Sequence, residues 1–275
     1  MARRRSRAEQ KKHTRDICLL VAVAVLLVAV VGSMTWIFMG RDVAPDAATL
    51  CPADGPLGQY VVLIDNTDPY PHNQKAALTQ RLKSLAEDRI PEGYLLSVFV
   101  LGEDFTKNDK PVFEKCNPGM GEGRSAVNSN LQRIKHRFAH EFVAPVEGLT
   151  VQLLLSKAAN TSPVFEMIQL AAINGFNQHK TTGRKELIIF SDMIANTPRY
   201  SMYKTPVTTY RAFRSSAYGQ RAGTDLSGVN VELNVIRNNE RSVNTIQTQN
   251  FGLFWTDFFD GSGARVREVN TLEGL

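Results

Sequence analysis

Two apolar runs in this chain each end in an aspartate. Val61–Ile64 precedes Asp65, and Leu187–Ser191 precedes Asp192. Short runs rich in valine and isoleucine, with polar segments on both sides, are typical of buried parallel strands. A carboxylate directly after such a strand lies at the sheet edge where α/β proteins bind ligands. If the two strands are neighbours, the two carboxylates repel each other unless a cation or a proton lies between them.

Hydroxyl groups flank both aspartates. The first strand continues as Asp65-Asn66-Thr67-Asp68-Pro69, and Asn160-Thr161-Ser162-Pro163 precedes a predicted helix. Carboxylate and hydroxyl oxygens are hard ligands, which suit Mg²⁺ or Ca²⁺ better than zinc or copper. Because hydroxyl ligands leave the charge of the metal incompletely neutralised, such a metal can accept a further carboxylate from another molecule.

These residues resemble the metal-ion-dependent adhesion site of the von Willebrand factor A (vWA) family. That site has an Asp-x-Ser-x-Ser motif after the first strand, a threonine before a middle helix and an aspartate after the fourth strand. Asp65 and Thr67 match the start of the motif, and Asp192 matches the last aspartate. Ser162 matches the threonine, with Thr161 as the alternative.

The resemblance covers about residues 58–270 in element order. It implies a doubly wound, mainly parallel sheet with helices on both faces, divalent-metal binding and a role in binding proteins. Pro69 departs from the motif, because it stands where the second serine belongs and offers no ligand. The expected function is a non-enzymatic interaction module with a partial metal site. Two alternatives remain: a degenerate site that is used for protein contacts, or a structural role in which the aspartates cap helices or bind loop amides without a metal.

A metal-dependent phosphohydrolase that resembles the haloacid dehalogenase family is the alternative function. Asp65 would be its nucleophile and Ser191 its phosphate-binding hydroxyl. That family has a second aspartate two residues after the first, where this chain has Thr67. The general acid is therefore missing, which favours the binding module.

The segment that follows Asp192 has the composition of a partner-binding surface. Residues 193–223 hold four of the seven tyrosines, five basic residues and no acidic residue. Tyrosine and arginine are enriched in interfaces. We therefore predict a protein partner with an acidic contact; the alternative is a solvated loop whose arginines balance acidic residues elsewhere. The predicted contact residues are Asp68, Arg199, Tyr200, Tyr203, Arg211 and Arg214.

The N-terminal region predicts a membrane anchor. Residues 17–39 carry no charge and span about 35 Å as a helix, more than the roughly 30 Å of a bilayer core. Residues 1–16 are basic, which predicts that they stay in the cytoplasm and that the rest of the chain faces outward. We expect a single-pass protein of the cytoplasmic membrane, periplasmic if bacterial, within a cell-envelope complex. A cleaved signal peptide is the alternative, although its apolar region is normally shorter.

The remaining predictions concern domain organisation and cysteines. We predict a tail at 1–16, a transmembrane helix at 17–39, a linker at 40–57 and one soluble domain at 58–275. The net charge of +5 equals that of residues 1–16, so the soluble part is neutral and nucleic acid is not an expected partner. Cys51 and Cys116 both belong to the part of the chain predicted to lie outside the cytoplasm, where an oxidising compartment allows a disulfide. Two separate buried thiols are the alternative.

Hydrophobic periodicity predicts alternating strands and helices. Ser162 is also the predicted N-cap of a helix that starts at Pro163. The predicted strands are 59–65, 94–101, 111–114, 186–191, 229–236 and an edge strand at 266–269, and the predicted helices are 72–88, 130–142, 163–174 and 249–259.

Overall fold

A computed structural model gives the fold of the chain. It describes residues 7–39, 45–104, 109–122, 130–153, 158–179, 181–205, 209–237 and 245–272. Residues 1–6 of the predicted tail and 40–44 of the predicted linker lie outside the described residues. The chain divides into an N-terminal unit and a larger α/β unit.

The N-terminal unit contains helix α1 (Arg7–Met39). Its apolar part, Arg15–Trp36, is 22 residues long with a mean hydropathy of 3.0, and none of it is buried in protein. At about 1.5 Å per residue this part is about 33 Å long, which is enough to cross a bilayer. The helix has the length and composition of a membrane anchor, properties that a signal sequence near the N-terminus shares.

The α/β unit alternates strands with helices. Three of its helices, α2, α3 and α5, end in a wider π-helical turn. In chain order the elements are β1 (Gln59–Asp65), α2 (His72–Ser84), β2 (Leu95–Leu101), β3 (Phe113–Cys116), α3 (Leu131–Arg137), α4 (Ala144–Leu153), α5 (Val164–Leu170), β4 (Lys185–Ser191), α6 (Tyr210–Ser215), α7 (Ala217–Arg221), β5 (Val229–Ile236), α8 (Gln249–Gly261) and β6 (Arg265–Leu272).

The six strands form one sheet in the order β3-β2-β1-β4-β5-β6. All neighbouring pairs are parallel except β2 with β3, which is antiparallel. β1 is buried along its whole length, as expected for a central strand covered on both faces. The strand order reverses between β1 and β4, and a reversal of this kind marks the ligand-binding crevice of doubly wound sheets.

Each face of the sheet has its own hydrophobic core. On one face Val61 and Ile189 pack with α5, α6 and α8, whose largest buried side chains include Phe165 and Trp255. On the other face Val62 packs with α2 and with the helical segment from α3 to α4. The predicted doubly wound α/β architecture, with helices on both faces of a mainly parallel sheet, is therefore confirmed.

Several boundaries differ from the prediction. The helix predicted at 130–142 continues to Leu153, because the wide turn Phe138–Val143 leads directly into α4. Pro145 is the second residue of α4 and directly follows the wide turn. The helix predicted to start at Pro163 starts at Val164, and no side chain caps it. Ser162 is therefore not its N-cap.

The predicted linker is mostly part of the α/β unit from residue 45 onward. Leu50 and Cys51 are buried, and a disulfide joins Cys51 to Cys116 at the end of β3. The Cys116 N–H donates to Thr49 O at 2.8 Å, and the Leu57 N–H donates to Gly93 O at 2.9 Å. The segment therefore lies against the amino ends of β1 and β2, and Leu95 packs against the disulfide.

Candidate functional site

The two aspartates predicted from the sequence meet at the reversal of strand order. Asp65 is the last residue of β1, and Asp192 directly follows β4. The two strands are parallel neighbours, with Ile64 opposite Phe190. Both carboxylates are therefore at the carboxyl edge of the sheet. Both residues are buried: Asp65 is 5% exposed and Asp192 is 7% exposed.

Asp65 is held by three hydrogen-bond donors. Its Oδ1 accepts from the Thr67 N–H at 2.9 Å and from the Thr67 hydroxyl at 2.7 Å. Its Oδ2 accepts from the Ser191 hydroxyl at 2.5 Å. Burial raises the pKa of Asp65, whereas the hydrogen bonds from Ser191 and Thr67 lower it and offset part of that rise.

Asp192 has fewer donors. Its Oδ1 accepts from the Ile194 N–H at 2.8 Å. Burial raises the pKa of Asp192 well above its ordinary value, and the charge of Asp65 raises it further. The hydrogen bonds to the Asp65 carboxylate all come from donors, which favours its ionised form. Without a cation, a proton on either carboxylate relieves the repulsion between them.

Ser162 is joined by its backbone to the segment that follows Asp192. Its backbone exchanges two hydrogen bonds with Asn196, at 2.7 and 2.9 Å, in the segment that follows Asp192. The Ala159 N–H donates to Thr67 O at 2.7 Å, so the residues before Ser162 also contact the loop after β1. The Ser162 side chain is buried, and its hydroxyl has no hydrogen-bond partner among the described residues.

The alternative hydroxyl, Thr161, is engaged elsewhere. It donates to Glu103 O at 3.0 Å. Of the two candidates, Ser162 is therefore the one with a free buried hydroxyl. Pro69 and Asp68 are both exposed on the loop after β1, so the position that lacks a serine faces outward.

Three polar residues at this edge were missed as site residues. Tyr70 is buried, and its hydroxyl donates to the Asp65 carbonyl oxygen. The Gln247 amide donates to Asp192 O at 3.1 Å and to Ile236 O at 2.9 Å, which joins the ends of β4 and β5. Ser191 was considered only as a phosphate-binding group. Ser191 and Tyr70 stand within five residues of the aspartates in sequence, whereas nothing local marks Gln247.

The donor chemistry of this edge fits a hard divalent cation. Two buried carboxylates with raised pKa values need a positive charge or a proton, and the Ser162 hydroxyl lacks a partner in the described part of the chain. Acidic ligands are few, because the described residues contain no group of three or more His, Cys, Asp or Glu side chains arranged to hold a metal ion. Hydroxyl oxygens would have to supply the remaining ligands.

The phosphohydrolase alternative takes Ser191 as a phosphate-binding group and Asp65 as the nucleophile. Both carboxylate oxygens of Asp65 already accept hydrogen bonds. Ser191 is only 1% exposed, and its hydroxyl is engaged by Asp65 and by the Met193 N–H, so it does not face a substrate. Thr67 donates to Asp65 and does not supply the missing general acid.

The predicted partner-binding residues divide into two groups. Arg199, Arg211 and Arg214 are exposed, and Tyr203 is 46% exposed. Tyr200 instead stacks on Tyr218 with ring centroids 4.9 Å apart. The tyrosines of this segment are thus only partly surface groups, since Tyr200 and Tyr218 pack against the core that surrounds Phe165.

The basic residues of this segment are all exposed. We call the exposed side chains of Arg199, Lys204, Arg211, Arg214 and Arg221 the basic surface. None of them forms an ion pair with another described residue. Residues 45–275 carry equal numbers of acidic and basic residues, so residues 193–223 hold a charge of +5 against −5 in the rest of the unit.

No family model matches the chain, and no curated protein does. Among solved structures, the chain is similar to the vWA domain of SpRpn10. The sequence identity is 9%, the match covers 80% of this chain and 90% of that chain, and the TM-score is 0.37. The assignment of a doubly wound α/β fold therefore rests on the strand order and the two helix layers described above.

Proposed function

We propose that this protein is a membrane-anchored, non-enzymatic module that binds a protein partner at the carboxyl edge of its sheet. In this proposal Asp65 and Asp192 hold a divalent cation, Mg²⁺ or Ca²⁺, together with the hydroxyls of Thr67 and Ser162. The cation supplies a Lewis-acidic position that a carboxylate of the partner can occupy. The basic surface provides a second contact for an acidic partner.

One observation carries this proposal. Two carboxylates are buried on neighbouring strands at the reversal of strand order, and the hydroxyl of Ser162, whose backbone pairs with the segment after Asp192, is buried without a described partner. An unpaired buried hydroxyl and an unneutralised carboxylate pair each cost free energy. A cation that accepts oxygen ligands from both would remove these two costs at once.

The charge distribution supports a protein partner. The basic surface lies on the segment that starts directly after Asp192 and pairs with Ser162 through Asn196. A positive surface in an otherwise negative unit attracts acidic partners and repels basic ones. We infer that the partner presents a carboxylate to the site and further acidic groups to the basic surface.

The N-terminal helix gives the proposed location. The apolar part of α1 is long enough to span a bilayer, and the basic residues before it favour a cytoplasmic N-terminus. The α/β unit would then lie outside the cytoplasmic membrane, in the periplasm if the organism is bacterial. The disulfide between Cys51 and Cys116 agrees with an oxidising compartment.

Thermal unfolding of the full-length chain in detergent tests the cation site. We expect Mg²⁺ or Ca²⁺ to raise the melting temperature relative to EDTA, because a ligand that binds only the folded state stabilises it. Asp65→Ala should abolish this rise. Glu232→Ala is the matched control, because Glu232 is equally buried but pairs with Arg89 at 2.7 Å, and it should keep the rise. Equal melting of the wild type in Mg²⁺ and EDTA would contradict the cation site.

Affinity capture from membranes tests partner binding. The wild type and Asp65→Ala would each be used with and without Mg²⁺. We expect a protein that the wild type retains only with Mg²⁺ and that the variant does not retain. A partner captured equally by both proteins in EDTA would show that binding does not use this site.

A further inference from the structure

The Ser191 hydroxyl makes two hydrogen bonds that the proposed function does not use. Ser191 is the last residue of β4 and is 1% exposed. Its hydroxyl oxygen accepts from the Met193 N–H at 2.8 Å and donates its proton to Asp65 Oδ2 at 2.5 Å. Both hydrogen-bonding roles of the hydroxyl are therefore fixed by the protein.

The bond from Met193 leaves the proton of the Ser191 hydroxyl available for Asp65. An N–H can only donate, so the serine oxygen accepts there. The hydroxyl proton is then free to point at Asp65, and it donates to Oδ2. Thr67 donates twice to Oδ1. The Asp65 carboxylate is therefore held in one orientation, and each of its oxygens accepts at least one hydrogen bond.

The backbone conformation after Ser191 strengthens this arrangement. Met193 has a φ of +61°, in the left-handed region that non-glycine residues rarely adopt. Its side chain is buried in the core, which keeps the residue in place. This turn aims the Met193 N–H at Ser191 while Asp192 lies between them in sequence. One turn thus places Asp192 at the edge and orients the serine that holds Asp65.

We propose that Ser191 is a positioning residue for the cation site. Its hydroxyl donates to Asp65 and holds that carboxylate in the orientation that a divalent cation requires. This orientation offsets the loss of the ligand that Pro69 does not supply. This inference rests on the proposed cation site. Groups that orient a metal ligand from behind commonly change metal affinity about 10–100-fold when they are removed. Ser191 is thus assigned a role toward the cation, not toward a phosphate.

The chain offers a matched control. Ser97 on β2 is also 1% exposed, and its hydroxyl also donates to a carboxylate, Glu114 Oε2, at 2.9 Å. It lies on a strand that carries neither aspartate of the site. Ser97→Ala removes a comparable buried hydroxyl, so any loss of stability common to both variants is separated from an effect on the cation.

The experiment is a calorimetric titration of the full-length chain with Mg²⁺ in detergent. We expect Ser191→Ala to weaken Mg²⁺ binding about 10–100-fold, Ser191→Thr to recover most of the affinity, and Ser97→Ala to leave it unchanged. A folded Ser191→Ala variant that binds Mg²⁺ as tightly as the wild type would overturn the role of Ser191 alone. Absence of Mg²⁺ binding by the wild type would overturn the cation site and this inference with it.

If Ser191→Ala does not fold, the melting temperatures of two other variants, Ser191→Thr and Ser191→Cys, test the proposal. Ser191→Cys keeps the size of the side chain but replaces the hydroxyl with a weaker donor. We expect a folded Ser191→Cys protein to show a smaller Mg²⁺-dependent rise in melting temperature than Ser191→Thr. Equal rises in the two variants would overturn the proposal, because the hydrogen bond to Asp65 would then not matter for the cation.

Discussion

Asp192 lies close enough to Asp65 for the charge of Asp65 to raise the pKa of Asp192. The two residues end neighbouring parallel strands, β4 and β1, and both are buried. Two carboxylates in this arrangement destabilise the fold when both are ionised and no cation is present. The pair therefore links the stability of the protein to pH and to divalent cations.

Removing one charge of the pair should stabilise the protein in EDTA. Asp192→Asn keeps an oxygen that can accept the Ile194 N–H but eliminates the repulsion from Asp65. We expect the free energy of unfolding at pH 7 to rise, because the folded variant no longer buries a second ionisable carboxylate beside Asp65. Urea unfolding in EDTA would measure the change, with the exposed Asp54→Asn as the control. A less stable Asp192→Asn protein would contradict the repulsion.

The stability of the wild type in EDTA should fall as the pH rises. The pKa values of Asp65 and Asp192 are raised in the folded state, so the folded protein binds more protons than the unfolded chain above the unfolded pKa of about 3.9. Stability is then greatest below that pH and is lost as the pH rises through the folded pKa values. Urea unfolding from pH 4 to pH 8 would show the slope, and Asp192→Asn should reduce it. A slope of the opposite sign at this pair would be inconsistent with burial of the carboxylates.

The disulfide should contribute strongly to stability. Cys51 and Cys116 are 65 residues apart, and closing a loop of this length contributes about 4 kcal/mol in the chain-entropy treatment. We expect the double variant Cys51→Ser, Cys116→Ser to unfold at a clearly lower urea concentration. Cys18→Ser is the control, because Cys18 is a free cysteine in α1. Equal urea midpoints for the two proteins would show that the bond does not form in solution.

Phe165 should be one of the most sensitive core positions. Its ring contacts six other rings, and the nearest, Trp255 and Phe213, have centroids 4.8 and 4.9 Å away. Phe165→Ala should destabilise the fold by about 3–5 kcal/mol because it leaves a large cavity. Leu253→Ala on α8 is an exposed comparison and should change the free energy of unfolding by less than about 0.5 kcal/mol. Similar urea midpoints for both variants would contradict the aromatic core.

Charge reversal on the basic surface should weaken partner capture. Arg211→Glu with Arg214→Glu changes two exposed residues of α6, and we expect less captured partner and a weaker salt dependence. Arg133→Glu with Lys135→Glu on α3 makes the same charge change on exposed residues elsewhere and should leave capture unchanged. Equal losses in both variants would mean that net charge, and not this surface, controls binding.

Much of the fold was predictable from local sequence. The bounds of β1 and β5 agree with the prediction. β1 is a continuous apolar run with polar residues at its ends, and β5 alternates apolar with polar residues over most of its length; both patterns are typical of strands. The continuation of the helix after Phe142 was not predicted, since Pro145 normally marks a helix end and only the preceding wide turn makes it acceptable. The inward packing of Tyr200 was also missed, because a tyrosine in a basic segment has no local signal that separates core from surface.

The sequence by itself determined that aspartates follow two apolar strands and that hydroxyl residues stand nearby, because strand periodicity and strand ends are local properties. Only the tertiary structure decided that β1 and β4 are neighbours, that Ser191 donates to Asp65 and that Gln247 joins the ends of β4 and β5. It also left the Ser162 hydroxyl without a partner among the described residues. These contacts join residues far apart in the chain. They depend on how the strands are ordered in the sheet, which no local pattern specifies.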